Sequence, residues 1–292
     1  MYIVFKSFKA CFMKKILLLT GFLFLAVFHV NAQTASNPYF NYKGKLIIIG
    51  GGSIPDSLFE FFAAHCGGKD QPIVYIPTAT SDEKYIQEGG HLVKFSSRGF
   101  TNLSTIHTRD KVKADAPENI ALMRKAKGIF FGGGDQDLIA EAYGNTQLYK
   151  EMLALLDRGG VIMGTSAGAT IMGALLVGGD ARKDLTKSFP FQPAFSFIQN
   201  VDIDQHVLVR NRQFDLIPVI EKYPTHLGIG IDESTAIIVE GNHFKVWGNS
   251  YVMVYDAKDW AKQKATWGKV LKPFKMMYSG QSFDLNTRQI NK

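Results

Sequence analysis

Residues 161–169 read Val161-Ile-Met-Gly-Thr-Ser-Ala-Gly-Ala169. Val161-Ile-Met163 is a short apolar run of the kind that forms a strand buried on both faces. Gly164 and Gly168 bracket a tight turn around Ser166, and Ala167–Leu175 has the composition of a helix. Buried strand, glycine turn and helix make up the repeating unit of an α/β sheet.

The same unit recurs on both sides of this stretch. Lys45–Ile49 is a buried strand ending at Gly50-Gly51-Gly52, and Ser57–Cys66 has helical spacing with Leu58, Phe61 and Phe62 on one side. Ile73–Ile76 is a second strand, stopped by Pro77. The pattern then predicts a helix over Ser81–Ser97, a strand ending at Thr105-Ile106 and a helix over Glu118–Lys127. Next come the strand Gly128–Phe131, which runs into Gly132-Gly133-Gly134, and the helix Leu148–Arg158. Such alternation implies a doubly wound, mostly parallel sheet covered on both faces. From about Gly228 the pattern changes to short strands, Thr235–Val239, His243–Val246 and Val252–Tyr255, read as an antiparallel extension at the sheet edge. No linker or repeat divides residues 33–292, so they read as one domain.

Composition excludes other classes. The 292 residues are 46% hydrophobic and 20% charged, which rules out a disordered chain. Several apolar runs of about 20 residues, as a polytopic membrane protein needs, are absent from the sequence. The net charge of +7 owes four charges to Lys6, Lys9, Lys14 and Lys15 in a leading segment without acids. The remainder sets 29 basic against 26 acidic side chains, too mild a bias to argue for nucleic acid.

That leading segment has the layout of a secretory signal peptide. Met13-Lys14-Lys15 is basic, Ile16–Val30 is nearly all apolar, and Val30-Asn31-Ala32 offers small residues at the cleavage positions. Translation from either Met1 or Met13 is compatible with it. Residues 1–32 are therefore expected to be removed, leaving a chain from Gln33 that is exported to the periplasm or the medium and free of the membrane. Cys11 leaves with the signal, so Cys66 is the lone cysteine and reads as a small buried apolar residue.

Ligands of open α/β sheets bind at the carboxyl ends of the strands, where the turns Gly50–Gly52, Gly132–Gly134 and Gly164–Gly168 fall. Gly164-Thr-Ser-Ala-Gly168 is a G-x-S-x-G sequence in the strand–helix context of a nucleophile elbow. In it a serine hydroxyl projects over the sheet edge and the Ala167 N–H can face an oxyanion. A serine nucleophile needs a base and a group to orient it. His65, His91, His107, His206, His226 and His243 are the candidates after the signal. His206 follows the strand-like Val201–Gln205, and the strand Leu227–Ile231 after His226 ends at Asp232-Glu233. Spacing alone does not choose among the histidines.

Gly132-Gly-Gly-Asp-Gln136, Gly164-Thr-Ser-Ala-Gly-Ala169, Asp204-Gln-His206 and Gly228-Ile-Gly-Ile-Asp-Glu233 occur in that order. The ordered set resembles the cyanophycinase branch of the S51 serine peptidases, relatives of dipeptidase E. The likeness runs from about Lys45 to Val239. It implies a flavodoxin-like fold, also similar to class I glutamine amidotransferases. It further implies Ser166 as nucleophile, His206 as base and Glu233 as orienting acid. Gly134 and Ala167 would supply the oxyanion hole, and Gln136, Gln205, Arg210 and Arg212 the substrate contacts. The implied partner is a peptide, aspartyl-containing, with no metal or other cofactor; oligomeric state stays open, a homodimer included. Cyanophycinases cleave a polyaspartate chain carrying arginine on its side-chain carboxyls; dipeptidase E removes N-terminal aspartate. In the cyanophycinase pattern a third arginine stands where this chain has Asp215, which weakens the case for that polymer.

Three rival readings are weaker. An α/β-hydrolase esterase orders its residues Ser, acid, His, which here would require Asp232 or Glu233 with His243, and no HGGG-type sequence is present. A dinucleotide fingerprint over Ile49–Pro55 lacks its third glycine, where Pro55 stands. A non-catalytic binding protein on this scaffold would leave Ser166, His206 and Glu233 unexplained. No H-x-x-x-H or C-x-x-C suggests a zinc set.

Overall fold

The computed structural model describes residues 39–177, 191–264 and 272–291; the signal-peptide reading of residues 1–32 lies outside the described residues. Its parallel strands are β1 (Lys45–Ile49), β2 (Ile73–Ile76), β3 (Leu103–Thr105), β4 (Gly128–Phe131) and β5 (Val161–Thr165). They lie in the order β1-β5-β4-β2-β3. Their side chains sort by period two. Ile47, Ile49, Ile73, Tyr75, Phe130, Val161 and Met163 pack with the helix Asp56–Cys66 on one face. Leu46, Ile48, Val74, Ile76, Ile129, Phe131 and Ile162 enter the core on the other. Both faces are covered, which is why these strands read as unbroken apolar runs rather than alternating ones.

Helix Asp56–Cys66 buries Leu58, Phe59, Phe62, Ala63 and Cys66. Phe61 is half-buried at the edge of that layer, where it meets Trp247 and stacks on His65. Phe95 meets Phe59, Phe100 and Phe130 edge-on at ring distances of 5.0–5.1 Å. Burial of one such ring is worth about 1.5–3 kcal/mol. Cys66 lies in this layer, where burial pushes its thiol up to about 12, so it is chemically quiet.

β6 (Val201–Gln205), β7 (Leu227–Ile231), β8 (Thr235–Glu240), β9 (His243–Gly248), β10 (Tyr251–Asp256), β11 (Lys275–Tyr278), β12 (Ser282–Asp284) and β13 (Gln289–Asn291) complete the described strands. The antiparallel extension is present at β1, where β8, β9, β12 and β13 follow in order. The strand Val252–Tyr255 does not join it. As β10 it pairs with β7, which is parallel to β6, and β11 closes a second, four-stranded sheet. The turn between β9 and β10 redirects the chain: Gly248 has φ 128°, Ser250 N–H donates to Thr235 Oγ1 at 2.8 Å, and Ser250 Oγ donates to Asp232 at 2.6 Å.

Two predicted helices are shorter than their composition suggests. Ser81–Ser97 divides into Glu83–Gln87 and Leu92–Ser96, parted by Gly89 and Gly90 at φ 91° and 50°. The break sets His91 Nδ1 against the hydroxyls of Tyr75 and Tyr85. Ala167–Leu175 is helical only over Ala167–Thr170, because Ala174 N–H leaves the helix to bond Val201 C=O at 2.7 Å and ties the chain to β6.

Candidate active site

Ser166 is the residue on which β5 turns into its helix, at φ 56° and ψ −117°. Non-glycine residues rarely hold such a conformation, which costs on the order of 1–3 kcal/mol. Three contacts impose it. Ser166 N–H donates to Ile49 C=O at 3.1 Å, and Ser166 C=O accepts from Ala169 and Thr170. The flanking glycines are required by close approach: a Cβ on Gly164 would lie 2.3 Å from Gly168 C=O, and one on Gly168 2.4 Å from Phe131 C=O. An N-cap serine would turn its hydroxyl back onto the helix, but this one makes no cap bond. Its Oγ instead lies 2.9 Å from His206 Nε2.

His206 follows directly on β6, at φ 55°, and is 5% exposed. Its Nδ1 is 2.6 Å from Glu233 Oε1. Against an ionised carboxylate Nδ1 must be the donor, which leaves Nε2 to accept the Ser166 proton. Burial holds the imidazole below its usual value, with Arg210 and Arg212 adding to that and Glu233 opposing it. It is therefore neutral at pH 7, as a base must be. The adjacent carboxylate, Asp232, serves the backbone instead. Its Oδ1 accepts Leu208 and Val209 N–H at 3.0 and 3.1 Å, bracing the turn that follows His206.

The loop Gly132–Gly134 passes beside the serine, since a Cβ on Gly133 would lie 3.2 Å from Ser166 Cβ and 3.7 Å from Oγ. Gly134 has φ 136° and packs on Ala79 C=O, which also accepts Asp135 N–H at 2.8 Å. Among the described residues, the N–H groups of Gly134 and Ala167 have no hydrogen-bond acceptor. Gln136 and Gln205 are buried beyond these turns.

The two arginines diverge. Arg210 is exposed, four residues past His206 yet close enough to depress its imidazole. Arg212 is 5% exposed and faces inward, its Nη1 donating to Gln205 C=O at 3.2 Å and approaching Asp204 Oδ1 at 3.5 Å. Burial raises the Asp204 carboxyl, with Arg212 opposing that shift. Burial raises the Asp215 carboxyl as well, with Arg212 opposing that shift, so Asp215 belongs to this internal cluster. Neither arginine lies on a helix: the described residues pass from β6 through turns to the helix Leu216–Lys222.

The other histidines stand elsewhere. His226 Nδ1 pairs with the buried Asp202 at 2.9 Å, at the amino end of β7, and its ring stacks on Tyr223. His243 is exposed on β9 opposite Asp284 and Glu240. Sequence reasoning missed the roles of Asp232, Ser250 and Ala79, because no local pattern marks a residue that acts by bracing a distant turn.

Comparison with known proteins agrees with this architecture. The model of the family described as Peptidase family S51 matches residues 46–247. The chain is 30% identical over 199 residues to a cyanophycinase of Geminocystis herdmanii, covering 66% of this chain and 73% of that one. It is 26% identical over 269 residues to a cyanophycinase of Synechococcus elongatus, covering 87% and 83%. Among solved structures, a peptidase from an acI-B1 Actinobacterium superposes with a TM-score of 0.64 at 23% identity, over 85% of this chain and 98% of that one. A putative Peptidase E protein of Listeria monocytogenes superposes at 0.53 and 20% identity, over 71% and 99%. These two share the fold, a mixed α/β sheet of flavodoxin-like type. The chain belongs to peptidase family S51 and is a serine-type peptidase.

Proposed function

We propose that the protein is an exported peptidase of the cyanophycinase and dipeptidase E type, which hydrolyses aspartyl or β-aspartyl bonds through an acyl-enzyme on Ser166. The observation that carries this reading is the continuous chain from Ser166 Oγ through the His206 imidazole to Glu233, at 2.9 and 2.6 Å, on a strained serine. Neutral His206 takes the Ser166 proton on Nε2 as Oγ bonds to the scissile carbonyl carbon. Glu233 holds the tautomer and stabilises the imidazolium that forms. The N–H groups of Gly134 and Ala167 receive the oxyanion; loss of one such donor typically costs about 10²–10³ in rate. His206 then returns the proton to the leaving amine. Water, deprotonated by the same imidazole, hydrolyses the ester and restores the serine.

The aspartyl preference is assigned to Arg210, an exposed residue four positions past His206 whose charge reaches the imidazole, because a guanidinium suits a carboxylate. Arg212 supports the site from within by holding Gln205. Asp215 leaves this stretch one positive charge poorer than the cyanophycinase pattern, which favours short aspartyl peptides over the polymer. The test compares kcat/KM for Asp-X, β-Asp-X and Ala-X peptides and for cyanophycin, in wild type, Arg210→Ala and Asp215→Arg. Wild type should prefer Asp-X or β-Asp-X to Ala-X by about tenfold or more, one charge-assisted contact being worth about 1.5–3 kcal/mol. Arg210→Ala should erase that preference, and cyanophycin should be a poor substrate until Asp215→Arg. Equal turnover of Asp-X, β-Asp-X and Ala-X by wild type, or efficient cleavage of the polymer by it, would reject the substrate assignment and leave the serine chemistry standing.

A further inference from the structure

The three side chains of the candidate site come from three separated segments: Ser166 from the first sheet, His206 from just past the end of β6 in the second, and Glu233 from the β7–β8 turn that joins the two. Something must hold them in one frame, because an error of about 1 Å in such a site costs on the order of 10²-fold. The end of β1 touches all three. Ile49 C=O accepts Ser166 N–H at 3.1 Å, Gly50 C=O accepts His206 N–H at 2.9 Å, and Gly51 C=O accepts Ser234 N–H at 2.8 Å, the residue after Glu233. Ser166, His206 and Ser234 all have positive φ, at 56°, 55° and 55°. Three consecutive carbonyls thus each receive the N–H of a left-handed residue that carries or adjoins a working side chain.

The side chains close onto the same strip. A Cβ on Gly51 would lie 2.1 Å from His206 Cε1, 2.6 Å from Nδ1 and 2.7 Å from Nε2; one on Gly52 would lie 3.0 Å from both Cβ and Oε2 of Glu233. Gly50 is walled in by the backbone: a Cβ on it would lie 2.3 Å from Asp232 C=O. Gly51 and Gly52 also have φ of 114° and 69°, so close approach and backbone conformation both call for glycine here.

We propose that Ile49–Gly52 is the positioning strip of the site: its carbonyls set the three segments in register, and the bare Cα atoms of Gly51 and Gly52 let the imidazole and the carboxylate reach working distance. Gly51 and Gly52 are positioning residues that act through His206 and Glu233. The inference rests on the Ser166–His206–Glu233 reading and adds to it what sets its geometry.

Gly51→Ala must part the imidazole from the new Cβ by about 1.3 Å or more to restore ordinary van der Waals contact, and it strains a φ of 114°, so kcat should fall about 10²-fold or more with KM within about threefold. The rate of Ser166 labelling by a fluorophosphonate should fall in parallel. Gly52→Ala presses on the Glu233 side chain and, at 3.2 Å, on Ser234 N, and it strains the backbone at a φ of 69°. It should lower kcat by about tenfold, the cost of a weakened hydrogen bond to a charged group, and shift the acid limb of kcat/KM to lower pH. The charged groups facing His206 are Glu233 from the β7–β8 turn and Arg210 and Arg212 from its own turn, with the Ser166 hydroxyl on its other nitrogen. Loosening Glu233 removes the one that favours the imidazolium. Gly241→Ala, at φ 56°, and Gly280→Ala, at φ 94°, both with open space around them, are the controls for backbone strain alone at Gly52 and Gly51 and should change neither kinetic parameter. If Gly51→Ala does not fold, Gly52→Ala and its pH profile decide. A folded Gly51→Ala with kcat within threefold of wild type, or a Gly52→Ala with unchanged kcat and acid limb, overturns the proposal. Ser166→Ala assayed alongside separates the two readings: retained turnover there overturns the triad and this inference with it, whereas loss there beside active glycine variants overturns the strip alone.

Discussion

Glu233→Gln removes a charge while keeping the shape and one hydrogen-bond acceptor. In wild type the carboxylate sits 2.6 Å from His206 Nδ1, with its side chain 32% exposed. The hydrogen bond to Nδ1 exists before and after proton transfer, so it does little for the rate by itself. What is new in the transition state is the attraction between the carboxylate and the forming imidazolium. For unit charges about 4 Å apart in a surrounding of effective dielectric near 20, that attraction is about 4 kcal/mol. Glutamine keeps the hydrogen bond common to both states but none of that attraction, so the loss is about 4 kcal/mol, or roughly 10³-fold in kcat. KM should hardly change, because Glu233 touches the imidazole and not the peptide. The pH profile gives a second, signed test. Burial, Arg210 and Arg212 all depress the imidazole, and Glu233 alone raises it. Without the charge the imidazole falls further, so the acid limb of kcat/KM must move to lower pH. The assay is steady-state hydrolysis of an Asp-X peptide across the acid limb and through neutral pH, with melting temperature as the control for folding. A loss below threefold, or an acid limb that stays in place or moves up, would refute the assignment of Glu233.

Ser166→Ala should fold with an unchanged or higher melting temperature, since strain and not packing marks this residue, and lose nearly all turnover; a clean preparation with substantial activity rejects the nucleophile. His226→Ala should leave kcat within about twofold but lower stability by about 1–3 kcal/mol, because Asp202 is left buried without its partner; a large loss of kcat at unchanged stability would give His226 a place in the chemistry. Phe130→Ala opens a cavity under Phe95 and Tyr75 and should cost about 3–5 kcal/mol in chemical denaturation. Intact-mass measurement of exported protein should find Gln33, free or cyclised, at the amino terminus; retention of the apolar segment in a membrane fraction contradicts export by cleavage.

The local pattern of apolar runs and glycine turns is enough to read β1, β2, β4 and β5, the elbow at Ser166 and the antiparallel strands β8 and β9. Each of these is decided within a few residues, by an unbroken apolar run, by alternation as in β9, or by a glycine where a Cβ has no room. The pair Gly89-Gly90 is equally visible, yet composition over Ser81–Ser97 predicts an unbroken helix, and there the turn signal is the one that wins. The likeness to S51 peptidases singles out His206 from six histidines; the residues around it do not.

What the tertiary structure decided involves partners far apart in the chain. Whether β10 extends the first sheet or builds a second depends on Ser250 reaching Asp232 and Thr235, which no alternation of side chains encodes. That Arg210 stays exposed while Arg212, two residues on, turns inward to Gln205 follows from a tight turn braced by Asp232, and the two look alike in sequence. The meeting of Ser166, His206 and Glu233 joins residues 40 and 27 positions apart through carbonyls at residues 49–51. A sequence records which groups can bond over a few residues. Which distant groups do bond is settled only when whole sheets choose their register, and here that choice sets the site.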